Sequence, residues 1–88
     1  MSIRTMKGEP PILTSEQCRA ARALLDWGRS TLCERAEVAP GTLSDLERGK
    51  RAIRARTLRD IRAALEAAGV EFIDGERPGV RVAAQRGE

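Results

Sequence analysis

Basic residues crowd into one short stretch of the chain, and they are its strongest chemical signal. Seven of them lie between residues 48 and 62, with Asp60 as the one acid among them: Arg48, Lys50, Arg51, Arg54, Arg56, Arg59 and Arg62. The whole chain carries a net charge of +3, so the remainder is net acidic. A local basic stripe is typical of a surface that binds a polyanion. A solvated helix face is the alternative explanation.

The residue inventory argues against catalysis. The chain contains no histidine and no tyrosine, and no glycine-rich loop of the kind that cradles phosphate. Cys18 and Cys33 lie within apolar-periodic stretches, and two thiols without histidine do not supply four zinc ligands. We therefore expect two buried free cysteines in a reducing compartment, and no enzyme activity, cofactor, metal or small-molecule ligand.

Length and hydropathy set further limits. A chain of 88 residues forms one domain of marginal stability, which dimerisation would increase. Trp27 and Phe72 are its only aromatic residues, so aliphatic side chains must fill the core, as is typical of helical domains. No apolar run approaches the roughly 18 residues of a membrane span, and the N-terminus lacks a signal-peptide core. The sequence predicts a cytoplasmic protein without a membrane partner.

The first predicted helix follows an arm without periodicity. Residues 1–11 are expected to be flexible. Thr14 and Gln17 have the spacing of a capping box, in which each side chain bonds the other residue's backbone amide. The apolar spacing that follows predicts a helix over residues 15–27, which Gly28 ends. Trp27 is expected to pack in the core.

Two short helices joined by a tight turn come next. The second helix is predicted over residues 29–36 and the third over 40–48, with Pro40 at its first position and Gly49 as its C-terminal cap. Their contact face is apolar and includes one small residue at the closest approach: Leu32, Val38, Leu43 and Leu46, with Cys33. The pattern predicts a helix-turn-helix, and an ordinary αα-hairpin is the alternative.

After a basic connector the period of the sequence changes. A fourth helix is predicted over residues 56–68, stopped by Gly69. Alternating apolar residues then flank a turn-forming segment at 74–79, which predicts a β-hairpin over residues 70–82. Such a hairpin is marginal by itself and must pack on a helix or on a partner. Residues 83–88 are expected to form a frayed tail.

Several segments of the chain carry sequence motifs that occur in a characteristic order. They are the segments 13–25 and 57–69, Leu32-Cys-Glu-Arg-Ala36, and Val38-Ala-Pro-Gly-Thr followed by Leu43-Ser-Asp-Leu-Glu-Arg-Gly49. Together they resemble the Cro and lambda-repressor (XRE) family of transcription regulators over residues 12–82. The resemblance implies a mainly α fold: a four- to five-helix lambda-repressor-like helix-turn-helix domain at 12–69 with a C-terminal β-hairpin.

The same resemblance implies how DNA is read. The third helix would enter the major groove of double-stranded DNA while the second lies across its backbone. Five positions would then face the bases: Pro40, Gly41, Thr42, Ser44 and Asp45. Since Pro40 and Gly41 have no side-chain donors, hydrogen bonds to bases are expected mainly from Thr42 and Ser44, with Asp45 as a further acceptor. DNA shape is expected to contribute to sequence reading as well.

Phosphate contacts are implied at both ends of the helix-turn-helix. Arg29 stands where the family usually has glutamine, and Arg48, Lys50 and Arg51 follow the reading helix, with Arg54 and Arg56 extending that cluster. Glu37 replaces the usual glycine of the turn, at a cost of about 1 kcal/mol if its backbone is left-handed. Arg59 and Arg62 are expected to be solvated. Arg19 and Arg22 are expected either to contact flanking DNA backbone or to be solvated.

These inferences predict a repressor-like regulator that binds a palindromic operator as a homodimer. The dimer contact is assigned to the hairpin, through Val70, Phe72, Ile73, Val80 and Val82. Phe72 is expected to be buried on the fourth helix or at that contact. Two alternatives stay open, a helix-turn-helix protein that acts through protein contacts as an anti-activator, and a DNA-binding antitoxin. The Pro40-Gly41 pair favours the anti-activator, whereas the basic stretch argues for DNA.

Overall fold

A computed structural model describes residues 11–50 and 52–83, and within them the chain forms four helices and one antiparallel hairpin. Apart from Pro11, the predicted arm lies outside the described residues. The same is true of Arg51 and, apart from Ala83, of the predicted tail. The element order confirms a mainly α helix-turn-helix domain with a C-terminal hairpin. Of the four or five helices expected, the described residues form four.

Helix α1, Ser15–Leu25, begins at the predicted capping box. The amide of Gln17 donates to Thr14 Oγ1 at 3.0 Å, and the amide of Thr14 donates to Gln17 Oε1 at 3.1 Å. The predicted end of this helix is wrong. Asp26, not Gly28, takes the left-handed conformation that ends it (φ 59°), and the Trp27 amide donates back to the Arg22 carbonyl. Gly28 is instead the N-cap of the next helix.

Helices α2, Arg29–Ala36, and α3, Pro40–Arg48, have the predicted bounds. Gly49 caps α3 with a left-handed backbone (φ 65°), as predicted. Glu37 caps α2 in the same region (φ 59°), so the non-glycine residue in the turn does adopt a strained conformation. Helix α4 spans Ala55–Ala67, one residue earlier at each end than predicted, and Gly69 (φ 108°) turns the chain into the hairpin.

The hairpin consists of β1, Val70–Ile73, and β2, Gly79–Val82. Its register pairs Val70 with Val82 and Phe72 with Val80, so these four side chains share one face. The opposite face carries Glu71 and Arg81, whose charged groups lie 2.6 Å apart. The predicted packing on a helix is confirmed, because β2 contacts α1 and β1 contacts both α1 and α4.

The core lies where the helices and the hairpin meet. Its largest fully buried side chains come from all four helices: Cys18, Leu32, Leu43, Ile61 and Leu65. Trp27 packs against this core half-buried, as predicted, and the Arg35 guanidinium lies 4.9 Å from its ring centre. Within the described residues, no helix has both the length and the apolar character needed to cross a membrane.

The left-handed backbone of Glu37 generates a stability prediction. Replacing Glu37 with Gly should increase the free energy of unfolding by about 0.5–1 kcal/mol, because removal of Cβ strain outweighs the added freedom of the unfolded chain. Urea unfolding followed by circular dichroism measures this. Glu37→Ala is the matched control, since it removes the carboxylate but keeps Cβ, and it should bring no gain. An equal gain in both variants would mean that the carboxylate, not the backbone, is the source of strain.

Candidate nucleic-acid interface

The helix-turn-helix unit is formed by α2, the turn at residues 37–39 and α3. The Val38 amide donates to the Cys33 carbonyl at 3.1 Å, and the Leu43 amide donates to the Ala39 carbonyl at 3.2 Å. The predicted apolar face is confirmed, since four of its residues are buried and Val38 is half-buried against the core: Leu32, Cys33, Leu43 and Leu46. This shared core holds the two helices at a fixed angle.

A buried carboxylate ties α3 to α1. Glu47, only 5% exposed, accepts two hydrogen bonds from Arg22, at 2.8 Å from Nε and 2.8 Å from Nη2. The Cys18 thiol donates to Glu47 Oε2 at 3.2 Å, and Arg19 donates to the Glu47 backbone carbonyl. A fork of two parallel bonds fixes orientation as well as distance. The pair therefore sets which face of α3 points away from the protein.

The protonation states of this cluster follow from its contacts. Burial alone would raise the pKa of Glu47, but the hydrogen bonds from Arg22 and Cys18, with the charges of Arg22 and Arg29, hold that pKa below its usual value. Burial, followed by the hydrogen bond to Glu47, raises the pKa of the Cys18 thiol. Burial also raises the pKa of Cys33. At neutral pH the carboxylate is therefore charged, and both free thiols are protonated and buried.

This cluster corrects the prediction for the basic residues of α1. Arg22 is neither solvated nor directed at DNA, because its side chain is 18% exposed and bound to Glu47. Arg19 is exposed but also bonds α3. Sequence reasoning missed Glu47, although its spacing held a signal. It lies four residues after Leu43 and one after Leu46, which places an acid on the inward face of α3.

The predicted base-reading residues lie on the first two turns of α3. Pro40 and Gly41 are exposed, whereas Thr42, Ser44 and Asp45 are half-buried. None of the five belongs to the buried core. Thr42 also lines the groove between α3 and α4, together with Thr57. The five positions thus share the outward part of one helix, and their role in reading bases stays a prediction.

The predicted phosphate-binding residues lie in the chain at the start of α2 and between the end of α3 and the start of α4. All five of them that the structure describes are exposed: Arg29, Arg48, Lys50, Arg54 and Arg56. The Arg29 side chain is 54% exposed, and its Nε lies 3.4 Å from Glu47 Oε1, so it is anchored inward yet reaches solvent. Arg51 lies outside the described residues. Arg59 is exposed, in line with its prediction.

Three helix N-termini offer backbone donors that no side chain caps. Helices α2, α3 and α4 have neither a side-chain capping bond nor an acidic residue in the first turn, whereas α1 has both. The first amides of a helix lack intrahelical acceptors, and the helix dipole favours negative charge there. The ends of α2 and α4 therefore complement anions such as phosphates, whereas α3 begins with Pro40 and its Thr42 amide bonds the Ala39 carbonyl, which leaves the Gly41 amide as its spare donor.

Arg62 has a structural role that the sequence prediction missed. It binds Glu66 at 3.0 Å, Asp74 at 3.2 Å and the Ile12 carbonyl at 2.9 Å. Its guanidinium also lies 4.7 Å from the centre of the Phe72 ring. The prediction that Arg62 is solvated is wrong. This one side chain joins α4, the hairpin loop and the segment before α1, and it covers Phe72, which is half-buried beside α4.

The five hairpin residues assigned to dimerisation differ in exposure. Val70 belongs to the core, and Phe72 and Val80 are half-buried against it. Ile73 and Val82 are 38% and 46% exposed. Their role in a dimer contact stays a prediction. By the register, Val82 shares a face with Val70, whereas Ile73 lies on the opposite face at the other end of the hairpin.

Fold and interface together define a DNA-binding helix-turn-helix regulator. The family model described as helix-turn-helix matches residues 19–71, and the chain belongs to that family, the Cro/C1-type (XRE) proteins. It is a family of DNA-binding regulators, which are generally not enzymes. Comparison with curated proteins gives no match.

The Glu47 cluster generates a prediction about stability and its pH dependence. Glu47→Gln should lower the free energy of unfolding at pH 7 by about 2–4 kcal/mol, because Arg22 loses its charged partner in a poorly hydrated position. Since the folded-state pKa of Glu47 lies below its unfolded value, its contribution is complete above the unfolded pKa and is lost as pH falls through the folded pKa. The difference between wild type and Glu47→Gln should therefore shrink on acidification.

Urea unfolding at a series of pH values measures both effects. Arg29→Ala is the matched control, since this largely exposed partner of the same carboxylate should contribute less than about 1 kcal/mol. A difference between wild type and Glu47→Gln that does not change with pH would rule out an ionised Glu47 as the source of the stabilisation.

Proposed function

We propose that this protein is a sequence-specific transcriptional regulator that binds a palindromic operator as a homodimer, with α3 in the major groove. The observation that carries the proposal is the placement of α3. Leu43, Leu46 and Glu47 fix its inward face. The predicted base-reading residues on its outward face are exposed or half-buried. A helix held in this way fits a major groove, which is wide enough to admit it.

The charges around α3 support DNA as the partner. Exposed basic residues follow α3 and begin α4, and Arg29 begins α2 with half of its side chain in solvent. The uncapped N-termini of α2 and α4 add backbone donors. Phosphate contacts of both kinds fix a protein's position on the duplex without reading sequence. Thr42 and Ser44 would then supply base contacts at a fixed register.

A homodimer would give this small interface its selectivity. One domain of this kind contacts few base pairs, whereas a two-fold dimer places two reading helices about 34 Å apart on successive major grooves. The hairpin is the proposed contact, because Val82, at the end of β2, leaves apolar surface exposed at 46%. A sheet edge also carries backbone groups that a second copy can pair. Bound over a promoter, such a dimer would act as a repressor.

Binding of the full chain to duplex DNA tests the proposal directly. The duplex upstream of its own gene should be retained in a gel-shift assay and protected over a two-fold symmetric site in footprinting. A scrambled duplex of equal length and composition is the control, and it should bind at least about 10³-fold more weakly. Equal affinity for the two duplexes would refute operator recognition and would favour a function through protein contacts.

A matched pair of substitutions separates phosphate binding from base reading. Lys50→Ala should weaken binding to operator and scrambled DNA by the same factor and should reduce the salt slope by about one unit, because one phosphate contact is lost. Thr42→Ala should weaken operator binding by about 1–3 kcal/mol, because a contact to the base at one position is lost. It should leave the affinity for scrambled DNA unchanged. Fluorescence anisotropy over a series of salt concentrations measures both. A sequence-specific loss in Lys50→Ala would contradict the phosphate assignment.

The exposed end of β2 tests the dimer. Val82→Glu should convert dimer to monomer in sedimentation and weaken operator binding at least about tenfold, because it places a charge within an apolar contact. The fold should persist, since Val82 is largely exposed. Ala63→Glu adds the same charge to an exposed position on α4 and should remain dimeric. A Val82→Glu protein that sediments as a dimer would place the contact elsewhere. Point substitution is preferable to truncation before Val70, which would remove a core residue.

A further inference from the structure

Gly41 is a glycine that the fold does not require. It is the second residue of α3, and its φ lies outside the left-handed region that favours glycine at Gly49 and Gly69. A Cβ built on Gly41 meets nothing within 4 Å, so no neighbouring group excludes a side chain. Glycine is a poor helix former, and alanine in its place would favour the helix. The folded chain thus gives no reason for glycine at this position.

The residues beside Gly41 make the start of α3 smooth and apolar. Ala39 is the N-cap and Pro40 the first helical residue, and both are exposed. Pro40 has no amide hydrogen, and the Thr42 amide donates to the Ala39 carbonyl at 3.1 Å. What this turn presents outward is an alanine methyl, a proline ring and the Cα of a glycine. No side chain there can donate or accept a hydrogen bond.

The chemistry of the major groove limits what such a surface can recognise. Base edges display hydrogen-bond donors, acceptors and one apolar group, the C5-methyl of thymine. A surface without side-chain donors or acceptors, whose one spare polar group is the Gly41 amide, matches few of these polar groups, but it can pack against the methyl. Packing gains most when the two surfaces touch, and glycine is the residue that allows the closest approach of backbone to a ligand.

We propose that the first turn of α3 reads a thymine by direct contact of Pro40 and Gly41 with its C5-methyl group, and that Gly41 is required because a Cβ would hold the helix away. The inference rests on the proposed function and names one base in each half-site. Specificity then has two parts. Hydrogen bonds come from Thr42 and Ser44, and an apolar contact comes from the turn before them.

The test uses the full chain and an operator selected from a pool of randomised duplexes. Each thymine of the selected duplex is replaced in turn by deoxyuridine, which removes only the methyl group. At one thymine in each half-site, the affinity of the wild-type protein should fall about three- to tenfold, as expected for loss of one buried methyl. This measurement needs no protein variant, so its result does not depend on whether a mutant folds.

Gly41→Ala completes the test, because its effects on stability and on binding should have opposite signs. Its midpoint of urea unfolding should rise, while its affinity for the thymine operator should fall about tenfold or more through overpacking. Deoxyuridine at the critical position should then cost this variant much less than it costs wild type. The gain in stability separates a lost contact from a damaged fold.

The outcomes are distinct. If no thymine is sensitive to loss of its methyl, or if Gly41→Ala binds as wild type does, the inference is wrong and operator recognition stands. If the wild-type chain selects no sequence from the pool, the proposed function itself is wrong, and this inference falls with it.

Discussion

The bidentate ion pair between Glu47 and Arg22 is the constraint on which the orientation of α3 depends. An apolar contact between helices is non-directional, so it specifies the rotation of a helix about its own axis less sharply than a directional bond does. Two parallel hydrogen bonds at 2.8 Å resist such a rotation, since a rotation that keeps one of them stretches the other. A buried charge without a partner is also far more costly than an imperfect apolar contact. The inward side of α3 thus fixes the direction of its outward side.

Gln17 plays a comparable part at the other end of α1. Its backbone and side chain complete the capping box with Thr14, and its Nε2 donates to the carbonyls of Ile73 and Gly79, each at 3.2 Å. The buried Gln17 side chain therefore links the start of α1 to the residue pair next to the hairpin turn. Together with Arg62, it links the hairpin to the helices, so the exposed end of β2 has a defined position relative to α3.

Features set by short-range chemistry could be predicted from the sequence. The capping box depends on residues three apart, Pro40 and Gly49 mark the ends of α3, and alternation with turn residues marks the hairpin. The end of α1 was harder, because Asp26 and Gly28 lie two residues apart and both residue types can stop a helix. Motif resemblance located the candidate DNA-binding positions, but their exposure depends on how the helices pack.

The basic residues show why the rest could not be predicted. The distribution of charges along the chain does not show that Arg22 and Arg62 are paired while Arg54 and Arg56 are exposed, since all four have polar neighbours in the sequence. The first two are bound by acids that are distant in sequence, Glu47 and Asp74, and these partners come together only in the folded chain. The other two are exposed on α4 or beside it. Pairing of distant residues, rather than composition, decides which cations are left to face a partner.

The exposed first turn of α3 also bears on how such a protein can diverge. Pro40 and Gly41 lie outside the core, so substitutions there change the folding free energy less than most core mutations do. Under the proposed function, one copy can therefore change at these positions after gene duplication, acquire a different target sequence and stay folded. The ion pair between Glu47 and Arg22 meanwhile keeps α3 in the same orientation. The residues that are free to change and the residues that maintain the fold thus lie on opposite sides of one nine-residue helix.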